Sequence, residues 1–245
     1  MRRFTNRSEA GRELAGLLHA VLHREDDVVV LGVPRGGIPV AVEVAEALEA
    51  PLGVVTVRKL TVPGNERHAI GAITPGGVTT IDWRTADALR ISDTAMQALI
   101  AREQRELERC EELYRADRPS EPVAGRTAIV VDDGVASGST MTAAVTDVRR
   151  LGPRRIILAA PVASREAAES LGKLVDTCVW GYVPVRLYSV ALWYEDFTPT
   201  TDAQVISLRR RVTAPPSGYS RHATWRAAPA MMIRSPFPEP SASIR

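Results

Sequence analysis

Five short runs built largely of apolar residues, separated by stretches of helical spacing, constrain this 245-residue chain more than any other feature. They lie at residues 28–31, 53–57, 127–131, 156–160 and 175–179. Strands that are apolar throughout, without polar alternation, belong to parallel sheets covered on both faces, because each crossover lays a helix over the sheet. Between them the spacing predicts helices. Leu14, Leu17, Leu18, Val21 and Leu22 share one face behind a Ser8 N-cap, and helices are predicted over 38–48, 93–114, 139–151 and 165–174. The expected class is α/β, a doubly wound, mainly parallel sheet with helices on both faces. Ligands of such sheets sit beyond the carboxyl ends of the strands, so the loops after Leu31, Val57 and Val131 are where chemistry is sought.

Two segments depart from the alternation. Residues 60–77 form a polar excursion bearing Pro and Gly, with short strands expected at 69–73 and 78–81. Residues 209–245 hold seven Arg, one acid and six Pro, without apolar periodicity, and are expected to be a disordered tail. The rest of the chain carries 24 basic and 28 acidic side chains, interleaved rather than gathered into one block, so a nucleic-acid partner is not expected. Cys110 and Cys178 are too few for a disulfide framework, and no apolar run is long enough for a membrane span. Because Met1-Arg2-Arg3-Phe4 leads straight into polar sequence, the expected location is the cytoplasm.

Chemistry concentrates in residues 127–140, Thr-Ala-Ile-Val-Val-Asp-Asp-Gly-Val-Ala-Ser-Gly-Ser-Thr. A buried strand runs into Asp132 and Asp133, then into a small-residue loop that ends in hydroxyls where a helix begins. Unpaired N–H groups at that helix start, the hydroxyls of Ser137, Ser139 and Thr140, and close backbone approach at Gly138 make a phosphate cradle. The two carboxylates suit vicinal hydroxyls or a hydrated Mg²⁺. A lone Asp followed by a helix would be explained by capping, but capping needs neither the second acid nor the Ser-Gly-Ser-Thr run. The P-loop pattern is absent, and Gly32-Val33-Pro34-Arg35-Gly36-Gly37 lacks the dinucleotide-binding spacing.

This segment resembles the signature of the type I phosphoribosyltransferases for 5-phosphoribosyl 1-pyrophosphate (PRPP), and the resemblance extends over roughly residues 5–208. It implies that Ser137, Gly138, Ser139 and Thr140 hold the 5′-phosphate, that Gly134, Val135 and Ala136 also belong to the PRPP-binding segment, and that Asp132 and Asp133 contact the ribose hydroxyls and Mg²⁺. Arg35, Gly36 and Gly37 are similar to the family's pyrophosphate loop, where a non-proline cis peptide is common, so one is expected between Pro34 and Arg35. Arg58 and Lys59 resemble the Arg-Lys that precedes the mobile loop of the orotate branch. They would neutralise the leaving pyrophosphate, with Lys59 counted among the catalytic residues beside Asp132 and Asp133. A solvated pair is the alternative. Residues 60–77 would then be a lid, bringing Glu66, Arg67 and His68 toward substrate.

A hood formed by the N-terminal segment from Phe4 and by residues 180–200 would choose the acceptor. Trp193 or Tyr194 would stack on a base and Asp196 would reach an exocyclic amine or the metal, unless this cluster simply packs the chain end. Ala136 stands where the hypoxanthine-guanine branch has an Asp, which disfavours that substrate class. The expected activity is Mg²⁺-dependent transfer of the phosphoribosyl group from PRPP to a nitrogenous acceptor by a homodimer. The alternative is a non-catalytic sensor of PRPP or a nucleotide on the same fold.

Overall fold

The computed structural model describes residues 3–23, 26–62, 65–75, 77, 79–115 and 120–212, with backbone alone at 65–69, 79 and 115. Strands β1 (Val28–Gly32), β2 (Leu52–Val54), β6 (Thr127–Val131), β7 (Arg155–Val162) and β8 (Thr177–Tyr182) form one parallel sheet in the order β2-β1-β6-β7-β8. Their side chains divide by the two-residue period of a strand. Val28 and Val30 of β1, Ile129 and Val131 of β6, and Ile157 and Ala159 of β7 face helices α1 (Arg7–His19), α2 (Gly37–Ala47) and α7 (Asp202–Arg211). Val29, Leu31, Ala128, Val130, Ile156 and Leu158 face α5 (Ser139–Arg150) and α6 (Arg165–Leu171). Both faces are thus covered, which is why these strands are apolar throughout.

The order places β1 between β2 and β6, so the chain leaves β1 toward one edge and returns at β6 to build toward the other. That reversal opens a crevice at the carboxyl ends of β1 and β6. Between β2 and β6 the chain builds a separate three-stranded antiparallel sheet, β3 (Arg58–Val62), β4 (Asn65–Ile73) and β5 (Thr79–Ile81), followed by α3 (Trp83–Ala88) and α4 (Asp93–Arg115). Leu60, Ile70 and Ile73 pack there against Met96, Leu99 and Leu107 of α4.

Several expectations need correction. The segment expected to carry short strands at 69–73 and 78–81 holds more sheet than that: β4 starts already at Asn65 and β3 precedes it, because Leu60, Ile70 and Ile73 find their own apolar partners on α4. The side chains of Glu66, Arg67 and His68 lie outside the described residues. Asn6, not Ser8, caps α1: its Oδ1 accepts from the Glu9 N–H at 3.0 Å. The boundary expected at 208 falls inside α7, whose Arg209 is buried and donates to the Tyr114 carbonyl, with Val212 buried just beyond. Residues 213–245 lie outside the described residues. Among the described residues no helix is long and apolar enough to cross a membrane.

Candidate functional site

The loops leaving β1 and β6 lie directly against each other. Val33 N–H donates to the Val131 carbonyl at 2.9 Å, and Val55 N–H to the Gly32 carbonyl at 3.0 Å, which draws the segment after β2 to the same edge. A Cβ at Gly37 would stand 2.7 Å from the Val131 oxygen and 2.9 Å from Asp132 Cα, and one at Gly36 would collide with the Asp133 carboxylate. Glycine is what lets the β1 loop lie against the acids. The Pro34–Arg35 peptide is cis, as expected. Together these loops open into a cleft of about 840 Å³ that contains Arg35, Gly36, Arg58, Lys59, Asp132, Asp133, Ser137, Gly138 and Thr140 in its walls.

The two carboxylates are held differently. Asp132 Oδ1 accepts from the Asp133 N–H at 2.8 Å. Asp133 Oδ2 accepts from Arg7 Nε at 2.8 Å, and both of those side chains are largely buried. Withdrawal from water, with the charge of Asp133 added, pushes the Asp132 carboxyl up to about 8. Burial also pushes Asp133 up, but Arg7 opposes it, so Asp133 is the better placed of the two to stay ionised. The Tyr194 hydroxyl donates to the Asp133 carbonyl at 2.5 Å. Burial and the nearby Asp133 raise its pKa, so it keeps the proton it donates.

The cradle follows immediately. Val135 N–H donates to the Val162 carbonyl at the end of β7 at 2.9 Å, Ser164 N–H donates to the Val135 carbonyl at 2.8 Å and Ser164 Oγ to the Ala136 carbonyl at 2.7 Å, so the loop is tied to the segment that leaves β7. At Gly138 the backbone turns left-handed, with φ of 81°. As the N-cap of α5 this glycine offers no capping side chain, and the first turn carries no acid, which leaves the helix N–H groups and positive dipole end for an anion. The hydroxyls of Ser137 and Ser139 stand 3.1 Å apart beside them. Gly134 is fixed by packing, since a Cβ there would strike Val190.

The hood is partly as expected. Phe4 bridges to Tyr194, with Phe4 N–H donating to Trp193 O and Glu195 N–H to Phe4 O, both at 2.8 Å. Trp193, Tyr194 and Asp196, expected to face an acceptor, do not line the cleft. Trp193 is buried against Tyr182, their ring centroids 5.3 Å apart, and so is packing; Asp196 accepts from the N–H and hydroxyl of Thr198 and borders a smaller cavity instead. Tyr194 serves the Asp133 backbone. Val190, Phe197, Pro199 and Thr200 line the cleft in their place.

Other cleft-lining positions were not foreseen. Arg7 reaches the cleft from α1, and Glu103, Arg109 and Tyr114 reach it from α4. Asp202 reaches it from the start of α7. The signal for Arg7 was faint: an arginine two residues after Thr5 in a segment already assigned to the hood.

Among the described residues no group of three or more His, Cys, Asp or Glu is placed to hold a metal. The two adjacent carboxylates remain as donors for a cation that keeps most of its water.

The profile of the phosphoribosyl transferase domain matches residues 5–189. Two Mycobacterium tuberculosis relatives that carry the name phosphoribosyl transferase, from strains CDC 1551 / Oshkosh and H37Rv, are each 37% identical over 211 residues, 86% of this chain. The chain spans 47% of their length, about half. The crystal structure of TT1426 from Thermus thermophilus superposes with a TM-score of 0.70 at 40% identity, covering 85% of this chain and 98% of that one. With the Asp132–Thr140 segment, the switch-point cleft and these likenesses agreeing, the chain belongs to the phosphoribosyl transferase family.

Proposed function

We propose that this chain binds PRPP with Mg²⁺ and transfers its phosphoribosyl group to a nitrogenous acceptor, releasing pyrophosphate. The observation that carries the proposal is the convergence of two carboxylates, an uncapped helix N-terminus and the cations Arg35, Arg58 and Lys59 on one cleft. In this arrangement the 5′-phosphate lies in the cradle from Ser137 to Thr140, and the ribose hydroxyls donate to Asp132 and Asp133. The pyrophosphate points toward Arg35, Arg58 and Lys59.

Two carboxylates without a third protein ligand fit Mg²⁺, which is commonly held by one or two carboxylates together with substrate phosphates and water. Asp132 and Asp133 would hold it, and when bound it would neutralise charge on the leaving pyrophosphate. The chain's own residues do the rest. The cradle fixes one end of the substrate so that C1 of the ribose meets the acceptor in a productive pose. The cations are preorganised where negative charge grows as the bond to pyrophosphate breaks. Val190, Phe197 and Pro199 keep water from the acceptor side.

The experiment is a thermal-shift titration with PRPP and Mg²⁺, followed by a screen for pyrophosphate release over purines, pyrimidines and small amides. PRPP at 100 times its Kd stabilises a native state by about 2.7 kcal/mol, a readily measured shift. Asp132→Asn combined with Asp133→Asn removes that shift; because Arg7 loses its buried partner the double variant melts lower than the wild type, and the shift is read against its own ligand-free melting temperature. An unchanged shift in the double variant refutes the site. Tight PRPP binding without release to any acceptor refutes catalysis and favours a sensor.

A further inference from the structure

The arginines at the pyrophosphate end of the cleft already have partners. Both carboxylate oxygens of Glu103, whose side chain is only 7% exposed, are given to arginine. Arg58 Nε and Nη2 donate to Oε2 at 3.1 and 2.8 Å, and Arg102 Nε and Nη2 donate to Oε1 at 3.0 and 2.8 Å. Asp202 faces the β1 loop at longer range. Its Oδ1 accepts from the Tyr114 hydroxyl at 2.7 Å and stands 3.9 Å from Arg35 Nη1, while its Oδ2 accepts from Arg109 Nη2 at 3.1 Å. Partial burial works against the charge on Asp202, but the Tyr114 and Arg109 hydrogen bonds outweigh it and hold the carboxyl below the usual aspartate value. Among the described residues Lys59 has no ion-pair partner.

We infer that Glu103 and Asp202 are internal counter-ligands of the pyrophosphate site: Glu103 occupies Arg58, Asp202 offsets the charge of Arg35 from 3.9 Å, and together they set how tightly the cleft holds pyrophosphate and how readily it lets go. The inference rests on the proposed function, which puts pyrophosphate against those two arginines. Its physical content is competition. Of the described cleft-lining residues at this end, the cations are Arg35, Arg58, Lys59, Arg102 and Arg109, and Glu103, Glu106 and Asp202 are the acids facing them. Each carboxylate cancels part of the field that attracts a polyanion, and Glu103 also occupies a full edge of the Arg58 guanidinium. The incoming anion must work with the remaining donors or displace the acid. An amide at either position keeps the shape and one acceptor oxygen but removes the charge.

A merely structural carboxylate predicts the opposite sign. If Glu103 or Asp202 only oriented the arginines, losing the charge would let them wander and would weaken pyrophosphate binding. The two roles are therefore separated by the direction of one measurement.

The test is isothermal titration calorimetry with inorganic pyrophosphate and Mg²⁺. It compares the wild type, Glu103→Gln, Asp202→Asn, Arg58→Gln and the Glu103→Gln/Arg58→Gln double variant. Glu103→Gln and Asp202→Asn bind pyrophosphate more tightly, by up to about tenfold or ~1.4 kcal/mol. The gain from Glu103→Gln disappears when Arg58 is already Gln, which a double-mutant cycle reads directly. Asp202→Asn, on a different helix, keeps the test open should loss of the more buried Glu103 charge impair folding. Wild-type binding with equal or weaker binding in both acid variants overturns the inference alone. So does a gain that survives removal of Arg58, since the effect would then be general charge. No pyrophosphate binding by the wild type or any variant overturns the proposed function and takes this inference with it.

Discussion

The guanidinium of Arg7 meets three kinds of partner at once. Nε donates to Asp133 Oδ2 at 2.8 Å, Nη1 donates to the Thr198 carbonyl at 2.9 Å, and the plane lies over the Phe197 ring, 3.9 Å from its centroid. One side chain thus joins the start of α1, the loop after β6 and the hood. Its side chain is 10% exposed and that of Asp133 14%, so solvent screens the pair little. Arg7→Gln leaves Asp133 without its cation, and breaking such a buried pair costs about 3–5 kcal/mol. Chemical denaturation measures the loss. Arg7→Lys falls between, because it restores the charge but not the planar fork that reaches Asp133 and Thr198 together. Wild-type stability in Arg7→Gln would show that the pair contributes nothing. Asp132, Asp133 and the cradle were legible in the sequence because all their parts lie within nine consecutive positions. Arg7 was not, because its partner is 126 positions away and its meaning arises only when α1 is laid beside β6. The aromatic cluster at 193–197 was legible as a cluster, and the reading in which it packs the chain end describes Trp193 and Tyr194, which join Phe4 in a small core. Which ring packs inward and which faces the cleft is decided by Tyr182 and Val190, and no local pattern reveals that.

At the scale of elements, fully apolar strands were easy to find, while elements stabilised by distant partners were not. Strand β6 begins and ends where its apolar run does, whereas β3 looked like the end of a parallel strand followed by a lid. The run at 53–57 has strand character only through Val54, and the chain then turns away to build an antiparallel sheet with α4. Helix α7 went unseen because its apolar positions are few and its last turn is Arg209-Arg210-Arg211, which composition reads as the start of a charged tail. Those basic residues sit favourably at a helix C-terminus and reach specific partners. Arg211 Nη2 lies 2.6 Å from Glu46 Oε2 of α2. A chain ending at Leu208 is therefore less stable than one ending at Val212, by about 1.5–3 kcal/mol for burial of Val212 alone; equal melting temperatures would refute this. The Arg211 hydrogen bond holds Glu46 below the ordinary glutamate value of 4.5. A depressed carboxyl stabilises the fold above its unfolded-state value, and this is lost as pH falls through the folded value. The stabilising difference between wild type and Arg211→Ala is under about 1 kcal/mol at neutral pH, because the pair is half exposed, and it vanishes in acid.

Across the whole molecule the cleft is a boundary between two packed units. The floor and the phosphate cradle belong to the parallel sheet, whose two faces are sealed by α1, α2 and α7 on one side and α5 and α6 on the other. The far wall belongs to the β3–β5 sheet and α4, which pack around a smaller core of their own and join the larger cores only through Ala72 of β4 and Cys110 and Tyr114 of α4 among the described buried residues. Smaller cores open more readily, since a region's opening free energy follows the apolar surface it buries. Native-state hydrogen exchange should find the amides of β1, β6 and β7 exchanging only by global unfolding, and those of β3 and β4 by a lower-energy opening. An anion at Arg58 and Lys59 touches the smaller unit, while the same molecule at Ser137–Thr140 touches the larger one. PRPP, which is long enough to touch both, should raise protection in β3 and β4 toward the global value. Inorganic phosphate is too short to touch both units at once and should leave the lower-energy opening closer to its ligand-free value. The comparison depends on ligand length rather than on charge alone. Equal protection by the two ligands would mean that the walls do not move independently and that the cleft is a feature of a single cooperative unit.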